Sequence, residues 1–312
     1  MRKKLTLILP FLGLTILLTV FSIKAPDTFP TKSNALNVIT RTSPAVIVGM
    51  GMTFVIISGG IDLSVGSVIA ISGVTCAMAA SGTGSVLMGI LAGMGTGALC
   101  GLVNGALISF GGIAPFIVTL GMMSAIRGAV LVMTNAMPVS ENIPANFSHL
   151  YMGDLPGGIP IPIAIMLVVV LICAFILHWT PLGRYTFAIG SNRDAAFHSG
   201  VPINRTLMMI YILIGILGGL SGVMLAAELE SGQPTSGQFW ELRVIAGVVI
   251  GGASLMGGEG GVLGTIAGML FIIALENGCR LSDISAHYQH VALGAAIIVA
   301  ALIDKFARWR MR

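Results

Sequence analysis

Between two apolar runs the chain reads Ser58-Gly59-Gly60-Ile61-Asp62-Leu63-Ser64-Val65-Gly66-Ser67, and this stretch decides how its flanking segments fold. The paired glycines permit a sharp break in the backbone. Asp62 is expected to act as an N-cap, accepting backbone N–H groups from the first turn of the next helix. An acid in so apolar a region indicates a structural cap at a membrane edge or a functional group on a pathway. The sequence leaves both interpretations open.

A second glycine-rich break follows late in the chain, at Gly251-Gly252-Ala253-Ser254-Leu255-Met256-Gly257-Gly258-Glu259-Gly260-Gly261. It too lies between apolar runs and contains one acid. The run Ile56–Gly60 weakly echoes Val248–Gly252. Helices broken at corresponding positions of two halves are typical of transporters, where they present polar backbone groups to a solute.

Composition places the whole chain in a membrane. Only 9% of the 312 residues are charged, against about 25% in soluble domains, and the mean hydropathy is +0.98. These values exclude a typical soluble enzyme, a disordered protein and a disulfide scaffold. The four cysteines have no metal-ligand spacing and are interpreted as small buried residues. We expect an all-α polytopic membrane protein with one transmembrane domain over residues 1–312.

Apolar runs predict about ten transmembrane helices, within a range of eight to ten. The first is interpreted as an uncleaved helix because no small-x-small cleavage site follows it. Several of the others are short and interrupted by glycine. The runs are 5–23, 44–58, 64–80, 86–108, 114–133, 160–179, 207–227, 243–257, 261–278 and 287–303.

Lysine and arginine predict the orientation. Ten of the 16 basic residues lie before the first run, in the loop 180–206 or after the last run. Placing these regions in the cytoplasm puts both termini there, which requires an even number of spans. The net charge of +4 is then explained by topology, and no nucleic-acid partner is expected.

Two loops are long enough to contact other proteins. The external loop 134–159 is rich in proline and polar residues, so it serves as a connector or as a docking surface. The cytoplasmic loop 180–206 contains the capping-box spacing Ser191-x-x-Asp194 and then a pair of alanines, with Gly200 placed to end a helix. A helix of about two turns is predicted there, as a plain surface loop or as a contact for a cytoplasmic partner.

The sequence has no motif for chemistry of its own. None of the five lysines follows a glycine, so there is no phosphate-binding loop and the chain is not an ATPase. No catalytic constellation, metal site or cofactor site is expected. The five histidines are scattered, and His287 and His290 lack a carboxylate partner pattern. Asp62 and Glu276 are the nearest cases of acids deep within spans, fewer than an ion-driven carrier usually has.

Five motifs follow one another along the chain: Gly51 to Ser67, Pro115 to Gly121 with Arg127-Gly128, Ala188 to Asn192 with Ala195-Ala196 and Ser199-Gly200, Glu241 to Gly252, and Asn277-Gly278. In this order they resemble the ribose-type (monosaccharide) ABC transporter permeases, over roughly residues 35–305. A departure follows Glu241-Leu242, where the family commonly continues with an acid and this chain has Arg243.

The resemblance implies the all-helical ABC importer permease fold with broken glycine-rich helices, in a bacterial cytoplasmic membrane. It also implies three partners in that bilayer: a second permease, a cytoplasmic ATPase that uses the ATP, and an extracytoplasmic solute-binding protein. The function expected is import of a monosaccharide or sugar-like solute by alternating access. An ion-coupled secondary transporter of a small polar solute is the alternative.

The same resemblance turns the 180–206 loop into the expected coupling element against the ATPase. Its coupling residues are Gly190, Ser191, Asn192, Arg193, Asp194, Ala195, Ala196, Ser199 and Gly200. The residues expected along the translocation pathway are Asp62, Ser64, Asn104, Phe116, Thr119 and Asn277. Which sugar is carried, and whether the two permeases are identical, is not decided by the sequence.

Overall fold

The computed structural model describes residues 2–285 together with 288, 291, 294–295 and 298, with side chains from residue 10 onward. This part is almost entirely helical; the two short strands are the departure from an all-α chain. In order the elements are α1 (Arg2–Lys24), α2 (Lys32–Ile57), α3 (Val65–Thr83), α4 (Val86–Ser109), α5 (Pro115–Thr134), α6 (His149–Met152), β1 (Asp154–Leu155), β2 (Ile159–Pro160), α7 (Ile161–Trp179), α8 (Pro181–Ser191), α9 (Arg193–His198), α10 (Ile203–Glu228), α11 (Trp240–Ile250) and α12 (Val262–Leu281).

Seven of the described helices are long and apolar enough to cross a membrane, which is fewer than the expected ten. They are α2, α3, α4, α5, α7, α10 and α12. Helix α1 is not among these seven, because its side chains are described only over Pro10–Lys24, which is a shorter apolar helix. The span predicted at 287–303 lies outside the continuously described residues.

The predicted span at 243–257 is wrong as a single helix. Helix α11 ends at Ile250 after 11 residues, a rise of about 16 Å against a hydrocarbon core of about 30 Å. Gly252 has a φ of +92° and Gly257 a φ of +83°, so the backbone turns out of the helix. The apolar run did not reveal the turn because Gly251–Gly257 contains no charged side chain that would mark the end of the helix.

The core of the bundle is α10 packed on α2, α3 and α4. Every fourth residue of α4 from Gly89 to Gly105 is glycine, so one stripe of the helix carries no side chain. A Cβ added at Gly97 would overlap the carbonyl oxygen of Gly215 on α10. Small residues at this spacing let two membrane helices touch backbone to backbone, where dispersion contacts are dense.

The two ends of the bundle differ. One end, here called the loop end, carries residues 134–160, which form the short helix α6 and an antiparallel pairing of β1 with β2. Val139 pairs with Gly232, so this loop is hydrogen-bonded to the segment after α10. The opposite end, here called the α9 end, carries α8 and α9.

Candidate functional site

Four of the expected pathway residues form one buried group, here called the break cluster: Asp62, Ser64, Asn104 and Thr119. Asp62 Oδ1 accepts hydrogen bonds from the Ser64 backbone N (2.8 Å) and Ser64 Oγ (2.6 Å). Asn104 Nδ2 on α4 donates to Ser64 Oγ at 2.9 Å. Thr119 Oγ1 on α5 donates to the Ile61 carbonyl at 3.2 Å. The cluster therefore fastens the break between α2 and α3 to two neighbouring helices.

Asp62 is not the N-cap of α3. That position belongs to Ser64, whose side chain makes no capping bond. The Asp62 carboxylate instead holds the residue two positions ahead, in an Asx-type turn that shapes the break itself. The capping prediction failed because α3 begins at Val65, two residues later than an N-cap at Asp62 requires.

Phe116 and Asn277 lie apart from the break cluster. Phe116 is on α5 with 53% of its side chain exposed. Asn277 is buried on α12 and accepts a hydrogen bond from Asn34 Nδ2 at 3.1 Å. The structure thus brings together four of the six expected pathway residues and leaves these two in separate surroundings.

The two glycine-rich breaks have the same backbone geometry. Gly60 N donates to the Val55 carbonyl and Ala253 N donates to the Val248 carbonyl, each at a left-handed glycine that ends the helix. These bonds are those of a Schellman helix end. The correspondence aligns Gly59 with Gly252, one residue away from the register of the sequence echo.

The segment 229–239, here called the re-entrant segment, folds back along α3. Its Gly232 lies against Val74 and Ala77, whereas its Gly237 lies against Gly66 near the start of α3. Arg127 on α5 fixes it, because Nη1 donates to the carbonyls of Pro234 (2.7 Å) and Ser236 (3.0 Å). Its Nη2 donates to the Gly66 carbonyl at 3.2 Å. This role of Arg127 was missed from the sequence.

Charged residues also meet near the loop end. Arg243 forms an ion pair with Glu276 at 3.0 Å and its guanidinium lies 5.6 Å from the Trp240 ring. The departure at Arg243 therefore ties α11 to α12. Close by, Tyr151 on α6 hydrogen-bonds with Glu228. Burial, and secondly the Glu228 charge, raise the pKa of Tyr151, so its hydroxyl stays protonated and donates to the carboxylate.

The expected coupling residues form an exposed surface at the α9 end. Of Ser191–Gly200 only Ala196 is buried, and Phe197 is 67% exposed. The residue that caps α9 is Asn192, whose side chain accepts from Ala195 N at 2.9 Å. The predicted capping box at Ser191 is wrong because α8 continues through Ser191. Gly200 ends the helix as predicted, with a φ of +78°.

Beside this surface three backbones meet at what is here called the glycine junction: Ile57, Gly190 and Gly258. Gly258 N donates to the Ile57 carbonyl at 2.8 Å. A Cβ at Gly190 would overlap that same carbonyl oxygen and come within 2.6 Å of Gly258 N. The junction joins the end of α2, the end of α8 and the second break. Met256, two residues before Gly258 in the second break, is 73% exposed.

The chain matches the family described as branched-chain amino acid transport system / permease component over residues 34–301. It is 43% identical over 298 residues to the ribose import permease protein RbsC of Bacillus subtilis (strain 168), covering 95% of this chain and 92% of the relative. The chain belongs to this permease family.

Further members of the family are similar over nearly the whole chain. The D-allose transport system permease protein AlsC of Escherichia coli (strain K12) is 34% identical over 296 residues, covering 95% of this chain and 90% of the relative. The L-arabinose ABC transporter permease protein AraH of Azospirillum brasilense is 33% identical over 299 residues, covering 95% and 87%. No solved structure matches the chain.

Family membership settles the class of the protein. It is a multi-pass membrane permease of the ribose type and a subunit of an ABC importer. It is a transport subunit and not an enzyme. The secondary-transporter alternative is not favoured. No group of three or more metal-binding side chains occurs within the described part of the chain.

Proposed function

We propose that this permease imports a monosaccharide, with D-ribose, D-allose and L-arabinose as the first sugars to test. The similarity to the ribose permease of Bacillus subtilis carries the proposal, because it extends over 95% of this chain. The family description names branched-chain amino acids, so leucine belongs in the same test.

The proposed partners are a second permease, an ATPase and a solute-binding protein. ATP is bound and used by the ATPase, and the permease itself needs no cofactor. The α9 end faces the cytoplasm and receives the ATPase, with both termini on that side. The loop end, with residues 134–160, faces the binding protein. The exposure of Ser191–Gly200 supports the ATPase contact. Phe197 is a large apolar side chain on this exposed surface, and exposed apolar surface is typical of protein–protein contacts.

The proposed mechanism is alternating access driven from the ATPase. Closure of the ATPase displaces α9, and the glycine junction passes the displacement to α2 and to the second break. Two bundle states then exchange, and each partner shifts their balance by contacting one state better than the other. Phe116 lies on the exposed face that lines the pathway, whereas the buried break cluster holds the α2–α3 break in shape.

Uptake into proteoliposomes tests this function. The permease is reconstituted with its ATPase and binding protein, and radiolabelled sugars and leucine are offered with and without ATP. Sugar uptake that requires both ATP and the binding protein is expected. A double charge reversal of the α9 surface, Arg193→Glu with Asp194→Lys, is expected to reduce it. Uptake by the permease alone, driven by an ion gradient, would overturn the proposal.

A further inference from the structure

We propose that the cavity beside Arg127 is a weak binding site for the transported sugar within the permease, an inference that rests on the proposed function. The cavity has a volume of about 220 Å³. It lies between the start of α3, the middle of α5, the end of the re-entrant segment and the first turn of α11. The lining residues are Ser67, Met123, Ser124, Arg127, Gln238, Phe239 and Glu241.

The chemistry of this lining suits a polyhydroxylated ring. The Glu241 carboxylate accepts hydrogen bonds from sugar hydroxyls, the Arg127 guanidinium donates them, and the Gln238 amide does both. The Phe239 ring offers an apolar surface for the C–H face of a sugar. A small number of convergent polar groups beside an aromatic ring is typical of small-molecule sites. At about 220 Å³ the cavity is smaller than the roughly 300–1,000 Å³ of sites for drug-sized ligands, which fits a monosaccharide.

The Arg127 guanidinium is held in place before any ligand arrives. Three backbone carbonyls fix the Arg127 guanidinium, and Glu241 interacts electrostatically with it. Gln238 and Phe239 are exposed at the mouth. A preorganised site loses less side-chain freedom on binding, so even a few hydrogen bonds give useful affinity.

Between Gly121 and Val130, α5 exposes no large apolar side chain, whereas Ile117 and Val132 outside this stretch are exposed. The exposed residues of α5 near Arg127 are small or polar, including Gly121, Ser124 and Gly128. By contrast, α7 exposes Leu167, Leu171 and Phe175, as a lipid-facing helix does. Charged side chains at membrane depth almost always face a bundle interior or a water-filled cavity.

The depth of the cavity matches a transport site. Arg127 lies about 18 Å along α5 from Pro115, which is past the middle of a helix of 20 residues. Solute sites of transporters lie near the membrane midplane beside broken helices. Here the α2–α3 break leads into α3, whose Ser67 lines the cavity, and the short helix α11 begins beside it at Trp240.

Chemical labelling in the intact transporter tests whether the cavity holds water and sugar. Ser124→Cys is treated with a charged methanethiosulfonate, with Leu171→Cys as the lipid-facing control and the wild type, whose four cysteines are buried, as the blank. Ser124→Cys is expected to react, and the sugar that the wild type imports is expected to slow the reaction. Absence of reaction, absence of protection, or an oxidative disulfide between two permeases at this position would overturn the site.

Sugar selectivity separates a binding role from a structural one, because a variant that only weakens the fold lowers the uptake of all sugars alike. Gln238→Ala is expected to change the ratio of D-ribose to D-allose and L-arabinose uptake by roughly two- to tenfold, the loss of one hydrogen bond. Gln233→Ala, in the same segment but bonded to Ser231, is the matched control. An unchanged ratio with normal ATP-dependent uptake overturns the site alone. Absence of wild-type sugar uptake overturns the proposed function as well.

Discussion

At the scale of single residues, the α2–α3 break depends on one acid. Asp62 is buried and its Oδ1 atom accepts two hydrogen bonds from Ser64, which in turn accepts one from Asn104. A buried donor that loses its acceptor costs more than the bond itself contributes, because water does not replace the partner. The position therefore requires an acceptor at Oδ1 more than it requires a charge.

Replacing Asp62 with alanine is expected to destabilise the purified permease by about 1–3 kcal/mol, since the Ser64 N–H and O–H lose their shared acceptor. Asp62→Asn keeps an oxygen at the same atom and is expected to lose less. Thermal unfolding in detergent measures both variants. Equal losses in the two would show that the charge, and not the acceptor, matters.

Gly66 is a second residue whose identity the structure explains. A Cβ there would overlap the Gly237 carbonyl and the Glu241 side chain. We expect Gly66→Ala to push the re-entrant segment away from α3 and to cost about 1–3 kcal/mol. Uptake and thermal unfolding are the measurements, and wild-type values for both would contradict the packing described here.

At the scale of elements, α4 and α10 pack through glycine. Gly97 lies against Gly215, whereas Gly95, two positions away on α4, meets no atom within 4 Å. Gly97→Ala is expected to destabilise by about 1–3 kcal/mol through overpacking. Gly95→Ala is expected to be neutral or to stabilise, because alanine favours helix. The unfolding temperatures of the two variants test this packing. A larger decrease for Gly95→Ala than for Gly97→Ala would contradict the α4–α10 interface.

Helix α9 is short enough that its cap controls its order. Asn192→Ala removes the acceptor for Ala195 N and is expected to cost about 0.5–2 kcal/mol at that helix. Asn192→Asp keeps a capping oxygen and serves as the matched control. Sugar-coupled ATP hydrolysis is expected to fall with alanine and to persist with aspartate. Equal activity of both variants would show that coupling does not depend on an ordered α9.

Elements were more predictable from the sequence than contacts. Apolar composition predicted 86–108 against the observed Val86–Ser109, because a continuous lipid-facing run is a compositional signal. It failed at 243–257, because the turn there depends on left-handed glycines that hydropathy does not distinguish. Helix α2 begins at Lys32, whereas the predicted apolar run begins at residue 44. The first turns of the helix are polar, so a search for apolar runs does not include them.

The four residues of the break cluster were all among the expected pathway residues, but their contacts were predictable only where they are local. Asp62 and Ser64 were found because they are two residues apart in a distinctive break. The bonds from Asn104 to Ser64 and from Thr119 to the Ile61 carbonyl depend on how α4 and α5 pack, which no local pattern encodes. The role of Arg127 depends on the return of the re-entrant segment along α3, so its partners lie more than a hundred residues away at Pro234 and Ser236.

At the scale of the whole molecule, the glycine junction connects the surface proposed for the ATPase to both breaks. Ile57 leads directly into the break cluster, Gly190 precedes α9, and Gly258 belongs to the second break. Because the contacts at Gly190 are made by backbone atoms, the junction has little room to absorb a displacement. A displacement of α9 is therefore expected to displace Ile57 and, with it, the α2–α3 break.

The most direct test of this connection is the amount of sugar moved per ATP hydrolysed in the reconstituted transporter. Gly190→Ala inserts a methyl group into the junction, whereas Gly261→Ala adds one in the neighbouring loop where no atom lies within 4 Å. With Gly190→Ala we predict continued ATP hydrolysis and a several-fold lower yield of sugar per ATP, while Gly261→Ala matches the wild type. A wild-type yield in Gly190→Ala would contradict transmission through the junction.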